Sequence, residues 1–389
     1  MTVVGAHAAD RVLSYCTNVH PAEDLEGLLD QLDTFSGPIR QRLGWDTLGV
    51  GLWLPAPVAE ELATSPAALA RLGERLDANR LVVRTLNAFP YRGFHDDVVK
   101  KAVYRPAWGD PERSRYTLHC AQALAGLLPE GGQGSLSTVP LGWREGWTNE
   151  HDAAATAELA GVTRELAALH ERTGRRVRLA IEPEPGCVLD QVSDLVGWLG
   201  PRVASRELDA AWLGVCLDTC HQAISFADPA ADVAALREAG LSVVKIQASA
   251  APEVPDPRDP EQRARISRFV EPRYLHQTRE LGPGGQVTRV DDLDLALSGL
   301  PGAGPWRVHF HIPVHAEPAA PLRSTRDSIG AVLRALARHQ DVGEADIEVE
   351  TYTWAVLPPE TAGVDLITGI AGELQWLAET VSTAWEDER

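Results

Sequence analysis

Positive charge is scarce in this 389-residue chain: 36 lysines and arginines stand against 55 aspartates and glutamates, a net charge of -19. Nucleic acid and anionic membranes are usually met by basic surfaces, so neither is expected as the main partner. A small anionic substrate held by a few local arginines stays open. No run of about 18 apolar residues is present, so no membrane insertion is expected. The start, Met1 to Ala9, lacks the positive region of a secretory signal. Cysteine is sparse and odd in number. Cys16, Cys120, Cys187, Cys216 and Cys220 make no paired CxxC zinc pattern, which points to a reducing, cytoplasmic setting. No GxGxxG turn follows the first strand-like run, so the dinucleotide fingerprint is absent. The single methionine and the few lysines carry no functional reading.

What is there is a rhythm. Hydrophobic residues make up 44% and charged residues 23%, the balance of a soluble protein with a sizeable core. Short apolar runs alternate with longer amphipathic segments. The strand-like runs are 12–18, 48–54, 81–87, 134–140, 178–182, 214–218 and 241–247, with helical patterns between them. Such βα alternation predicts parallel strands with right-handed crossovers. Strand-end polar residues recur on several consecutive strands, as a ring would place them. The expected fold is therefore α/β, one (β/α)8 TIM barrel over residues 1–389, with an insertion near 250–300 at the active-site end. Within that insertion, Tyr274–Thr278 and Gln286–Thr288 are read as a hairpin. Two later runs, 307–313 and 347–354, make nine candidate strands for eight places. The extra one is either the run from Ser135 to Pro140 or one of the two flanking the insertion. Helices are expected from Thr325 to His339 and from Val364 to Trp385.

The most informative stretch is Gly214-Val215-Cys216-Leu217-Asp218-Thr219-Cys220-His221, an apolar run ending in a carboxylate with a histidine three residues on. Asp218 is either a ligand or the cap of the next helix. Other runs end in similar groups: Ile181-Glu182-Pro183-Glu184, Val244-Lys245-Ile246-Gln247, His309-Phe310-His311 and Glu348-Val349-Glu350. Read as a strand, 309–312 puts His309 and His311 on one face, with Phe310 and Ile312 on the other. Such a pair is either hydrogen-bonded structure or a metal site. Glu182 is equally a salt-bridge partner or a ligand. Together Glu182, Asp218, His221, Gln247, His311 and Glu350 suit a divalent metal of the Mn, Zn, Mg or Co kind. Lys245 is taken to lie off the face of Gln247, with a structural role. Asn18, His20 and Asn87 end the first and third strands, where they either bind a polyol or cap helices. His95 sits with Tyr91, Arg92 and Trp108 on a long loop that is either a lid or plain surface, and His309 is the further candidate for substrate contact.

The order of Glu, Asp-x-x-His, a polar residue and Glu on strands five to eight resembles the xylose-isomerase-like superfamily of TIM barrels, which holds sugar phosphate isomerases and epimerases and endonuclease IV. LDTCH is similar to the endonuclease IV metal motif. YCTNVHP at 15–21, LNAFPYRGFH at 86–95, STVPLGW at 137–143, HFHIPVH at 309–315 and EVETYTW at 348–354 resemble, more closely, the EboE-type metabolite traffic proteins of secondary-metabolite clusters. The resemblance implies Glu182, Asp218 and Glu350 as metal carboxylates, with His221 following the strand-six ligand. Gln247 departs from the His or Asp usual at its position, and His311 is its candidate replacement. The implied chemistry is proton transfer beside a carbonyl by Glu182 and Glu350, on a polyhydroxylated or sugar-like metabolite. The alternatives are a non-catalytic metabolite-binding or traffic protein, and an endonuclease IV-like hydrolase. Partner proteins from the same gene cluster are a further implication.

Overall fold

The computed structural model describes residues 12–338 and 345–386. The stretch Met1 to Ala9 and the expected helix end at His339 lie outside them. Eight parallel strand positions close into a barrel: β1 (Ser14–Cys16), β2 (Leu48–Trp53), β3 (in two pieces, Leu81–Val82 and Thr85–Asn87), β4 (Gln133–Thr138), β5 (Arg176–Ile181), β6 (Leu213–Asp218), β7 (Val243–Ala248) and β8 (Asp346–Val349). Each pairs with the next, and β1 pairs with both β2 and β8, which removes every free edge. Helices fill the connections and pack their apolar faces on the outside of the ring. The long helix Asn149–Thr173 shows how local sequence sets such boundaries. Thr148 caps its start through the His151 backbone, and Gly174, at φ 68°, ends it. Among the described residues no helix is long and apolar enough to cross a membrane.

The inside of the ring is unusually polar. Barrel interiors are commonly filled by branched apolar side chains. Here Ser135 Oγ lies 2.9 Å from Thr85 Oγ1 and Lys245 Nζ donates to Ser137 Oγ (3.1 Å). Lys245 also lies 2.6 Å from Glu348 Oε1, and both are fully buried. Burial alone would push the Lys245 ammonium down, but the Glu348 carboxylate more than offsets this and holds it above its ordinary value. A strand returns to the same face every second residue, so Lys245 shares the inward face of Gln247 and is not turned away from it. Gly51 on β2 makes room for this pair, because a Cβ there would overlap the Glu348 carboxylate.

The ninth candidate strand is the run at 307–313. The segment Ser135–Thr138 belongs to β4, whereas Trp306–Val308 pairs antiparallel with Thr278–Leu281 and Pro252–Val254. These join Val287–Val290 and Arg323–Ser324 in a separate five-stranded sheet between β7 and the helix Asp327–Ala337. Alternation alone cannot separate a barrel strand from an antiparallel one. The hairpin partners are Thr278–Leu281 and Val287–Val290, a few residues later than the turn residues suggested. His309 to Pro313 is irregular chain leaving this sheet, turned at His309 by a bond from Phe310 N to Val308 O (2.8 Å). It is tied by His309 N to Gln277 O (2.9 Å) and by Ile312 N to Ala250 O (2.8 Å).

Candidate functional site

At the carboxyl ends of the strands, β5, β6 and β8 run into Glu182, Asp218 and Glu350, all buried. Oxygens of these three carboxylates lie within 4.8 Å of one another. The ring nitrogens of His221 and His311 fall within the same distance of Asp218. Asp218 divides its labour. Oδ1 accepts from the His221 backbone (2.9 Å) and from Ser249 Oγ (2.7 Å), capping the helix Thr219–Ile224. Oδ2 is buried with no hydrogen-bond partner, as are Glu182 Oε2 and His311 Nε2. His311 Nδ1 donates to the Glu350 carbonyl (2.7 Å), so its unpartnered Nε2 carries the lone pair, 3.9 Å from Asp218 Oδ2.

Glu350 is differently placed. Its Oε1 accepts from Asn18 Nδ2 and Asn87 Nδ2, each at 2.8 Å, and its Oε2 accepts from Gln247 Nε2. Gln247 takes a thiol hydrogen from Cys216 (2.8 Å) on its other end. Both ends of Gln247 are committed, so it steadies Glu350 and is not a ligand in the arrangement seen, a correction to its expected role. Asn18 and Asn87 do reach the pocket, as holders of that carboxylate.

Glu184, two residues after Glu182, adds a fourth buried carboxylate, with Tyr104 donating to its Oε1 (3.0 Å). Its signal was in plain view in Glu182-Pro183-Glu184, but only the first glutamate was selected. Among the described residues no lysine or arginine forms an ion pair with Glu182, Glu184, Asp218 or Glu350. Burial pushes the Glu182 carboxyl well up, and the neighbouring Glu350, Asp218 and Glu184 charges push it further. Burial likewise raises Glu184 and Glu350. Burial drives His221 down to about 3, with His311 beside it adding to the effect, and holds His309 well below its ordinary value. Buried carboxylates crowded against neutral imidazoles, with three acceptor atoms left over, suit a cation.

A small cavity of about 60 Å³ opens above this cluster. Phe89, Phe94, Val99, Val103, Tyr104, Tyr274 and Tyr352 wall it. Phe94, Tyr274 and Tyr352 pack ring to ring at centroid distances of 4.9–5.4 Å. The long loop therefore contributes a wall, through other residues than those singled out. Tyr91 packs on Tyr116, Arg92 lines a separate exposed groove and Trp108 is in the core. Two further corrections concern histidines. His20 points away from the pocket, stacked on Phe35 at 4.5 Å and bonded to Tyr15, because its strand has ended and the chain has turned. His95 stands behind the wall against the Asn18 carbonyl (2.7 Å). His309 does line the pocket, whereas His276 lies behind it, bonded to the His309 carbonyl and Glu271.

No family model matches the chain, and no curated protein matches its sequence. Solved structures do. A protein of Anabaena variabilis, provisionally named a sugar phosphate isomerase/epimerase, superposes with a TM-score of 0.50 at 14% identity, covering 97% of this chain and 99% of its own. The IolI protein with a bound zinc atom gives 0.49 at 14% identity, over 96% and 98%. D-allulose 3-epimerase from Methylomonas sp. gives 0.48 at 13% identity, over 97% of each. At these identities the likeness speaks to the fold alone, a (β/α)8 barrel, as the strand pairing shows.

Proposed function

We propose that this barrel is a divalent-metal-dependent isomerase or epimerase acting on a small polyhydroxylated, sugar-like molecule. The observation that carries the reading is a set of three buried, unpartnered acceptor atoms, Glu182 Oε2, Asp218 Oδ2 and His311 Nε2, with Asp218 close to both other residues and Glu182 and His311 lining the pocket. Glu182, Asp218, Glu350 and His311 would hold the cation, with His221 beside them. When bound, it supplies a Lewis-acid pull on substrate oxygens and offsets the crowded negative charge.

The chain's own groups then act as follows. Glu182 would accept a proton from a substrate carbon beside a carbonyl through the oxygen not turned to the cation. Glu350, oriented by Asn18, Asn87 and Gln247, would return one. The ring cluster of Phe94, Tyr274 and Tyr352 excludes water. The resemblance to EboE-type proteins supports a substrate from a secondary-metabolite cluster and partner proteins from that cluster. The five free, buried cysteines support a reducing compartment, the cytoplasm. The net charge of -19 argues against the endonuclease reading.

Gln247 favours one competing reading, a carrier that binds a metabolite without turning it over, since it is tied to Glu350 where the superfamily usually offers a ligand. Solvent exchange separates the two. Metal-loaded protein in D2O, given a panel of ketoses, aldoses and keto-polyols, is expected to place deuterium next to the carbonyl of at least one. Glu182→Gln should slow this by about 100-fold or more. Metal-loaded protein that binds a panel member without exchanging its hydrogen would establish the carrier.

A further inference from the structure

The last helix, Leu366–Glu386, buries a carboxylate that the pocket does not use. Glu373 is fully buried. The helix comes in close there because two glycines share its face. A Cβ at Gly369 would overlap the Trp354 ring, and one at Gly372 would sit 3.0 Å from the His315 ring. Positions 369, 372 and 373 are three and four apart, so a single helix face meets the chain at 314–315 and at 351–354.

Three neutral donors hold Glu373. Its Oε1 accepts from the Val314 backbone (3.1 Å) and from Thr351 Oγ1 (2.6 Å), and its Oε2 accepts from Trp354 Nε1 (3.1 Å). Burial pushes the carboxyl up to about 7, and these bonds pull against that rise. A buried carboxylate is costly to leave unpaired, so the groups it binds are held firmly in place.

Those groups flank two residues of the site. Thr351 directly follows Glu350, and Val314 lies three residues after His311. Neither stretch has a strand ladder to place it: β8 ends at Val349, and the other sheet's strand ends at Val308. The two stretches bond to each other instead. His311 Nδ1 donates to the Glu350 carbonyl (2.7 Å), and Thr353 Oγ1 donates to the His311 carbonyl. Glu373 adds the tie from outside the barrel, with one oxygen, Oε1, reaching both stretches at once.

We propose that Glu373 is a positioning residue for the cation cage of Glu182, Asp218, Glu350 and His311. It does not touch the cation. It sets where Glu350 and His311 stand relative to each other, so the terminal helix controls how tightly the cage closes. This rests on the reading of those four residues as a cation site. Groups that orient ligands from behind commonly contribute roughly 10–100-fold to metal affinity.

The test is zinc affinity of the full chain, stripped of metal and titrated in competition with a chromophoric chelator. Urea unfolding of the metal-free form is measured beside it. Glu373→Ala should bind zinc roughly 10–100-fold more weakly than wild type. Glu373→Gln keeps one oxygen for Val314 and Thr351 and loses the Trp354 bond, so it should recover part of that affinity. Leu377→Ala, one turn further along the helix and also fully buried, should lower stability and bind zinc like wild type. A Glu373→Ala chain that is destabilised yet binds zinc like wild type would overturn the positioning role and leave the cage standing. If Glu373→Ala does not fold, Thr351→Val decides, since it removes one bond of the three. Several-fold weaker zinc in that variant would support the role, and wild-type affinity would overturn it. No zinc bound by wild type would overturn the cage and the role together.

Discussion

Two layers of buried charge occupy this barrel, one above the other. Lys245 and Glu348 sit in the lower layer, and Gln247 and Glu350, two residues further along the same strands, in the upper. In the lower layer the cation is a residue of the chain, with Lys245 Nζ 2.6 Å from Glu348 and bonded to Ser137. In the upper layer the lysine is replaced by a glutamine, and carboxylates crowd together with unpartnered atoms. The same fold and residue types thus give a carboxylate paired with a lysine below, with Glu348 Oε2 buried and unpartnered, and a carboxylate cluster without such a pairing above. On the proposed reading a cation from solution completes the upper layer as Lys245 completes the lower.

The largest expected effect breaks the lower pair. Lys245→Met leaves Glu348 buried and unpaired and should cost about 3–5 kcal/mol in urea unfolding. Adding Glu348→Gln should recover most of that loss. In metal-free protein the same kind of change above, Asp218→Asn, should be neutral or stabilising, because it relieves repulsion among carboxylates. A comparable loss there would erase the contrast between the layers. Next, zinc or manganese at about 1,000 times its dissociation constant should raise unfolding free energy by about 4 kcal/mol. The gain should vanish in Glu182→Gln and His311→Ala, as thermal melts with and without chelator will show.

A smaller effect comes from Asp346 at the bottom of β8, which burial raises to about 6 despite its bonds from Ser135 and Arg84. A raised carboxyl binds its proton more tightly in the folded chain than in the unfolded one. Its contribution is therefore present at low pH and is lost as pH rises from about 4 to about 6. Asp346→Asn should remove about 3 kcal/mol of that decline, measured as the pH dependence of urea midpoints. The smallest effect should follow His20→Phe, at about 1 kcal/mol or less in stability, with metal content and deuterium exchange unchanged.

The barrel was legible because its signal is long-range and redundant: seven βα units in a row leave few topologies. The donors Glu182, Asp218 and Glu350 stood out because a carboxylate ending an apolar run is conspicuous. Other features turn on information that spacing does not carry. The run at 307–313 has the composition of a barrel strand, and only its antiparallel partners at 278–281 and 252–254 show otherwise. His20 and Asn18 lie two residues apart, yet a turn after Cys16 sends one ring to Phe35 and the other side chain to Glu350. Glu184 is one residue beyond a proline and out of the ladder, so no alternation rule aims it at His221. Lys245 and Gln247 stand two residues apart on one strand, so alternation itself puts both on the inward face.

The central claim is that the upper layer is completed by a cation. Calorimetric titration of manganese or zinc into chelator-stripped wild type and Asp218→Asn tests it most directly. A saturable binding event in wild type, at least 100-fold weaker in the variant, is the result expected. No binding to wild type, or equal binding to both, would contradict it and leave a barrel whose carboxylates hold an organic ligand by hydrogen bonds alone.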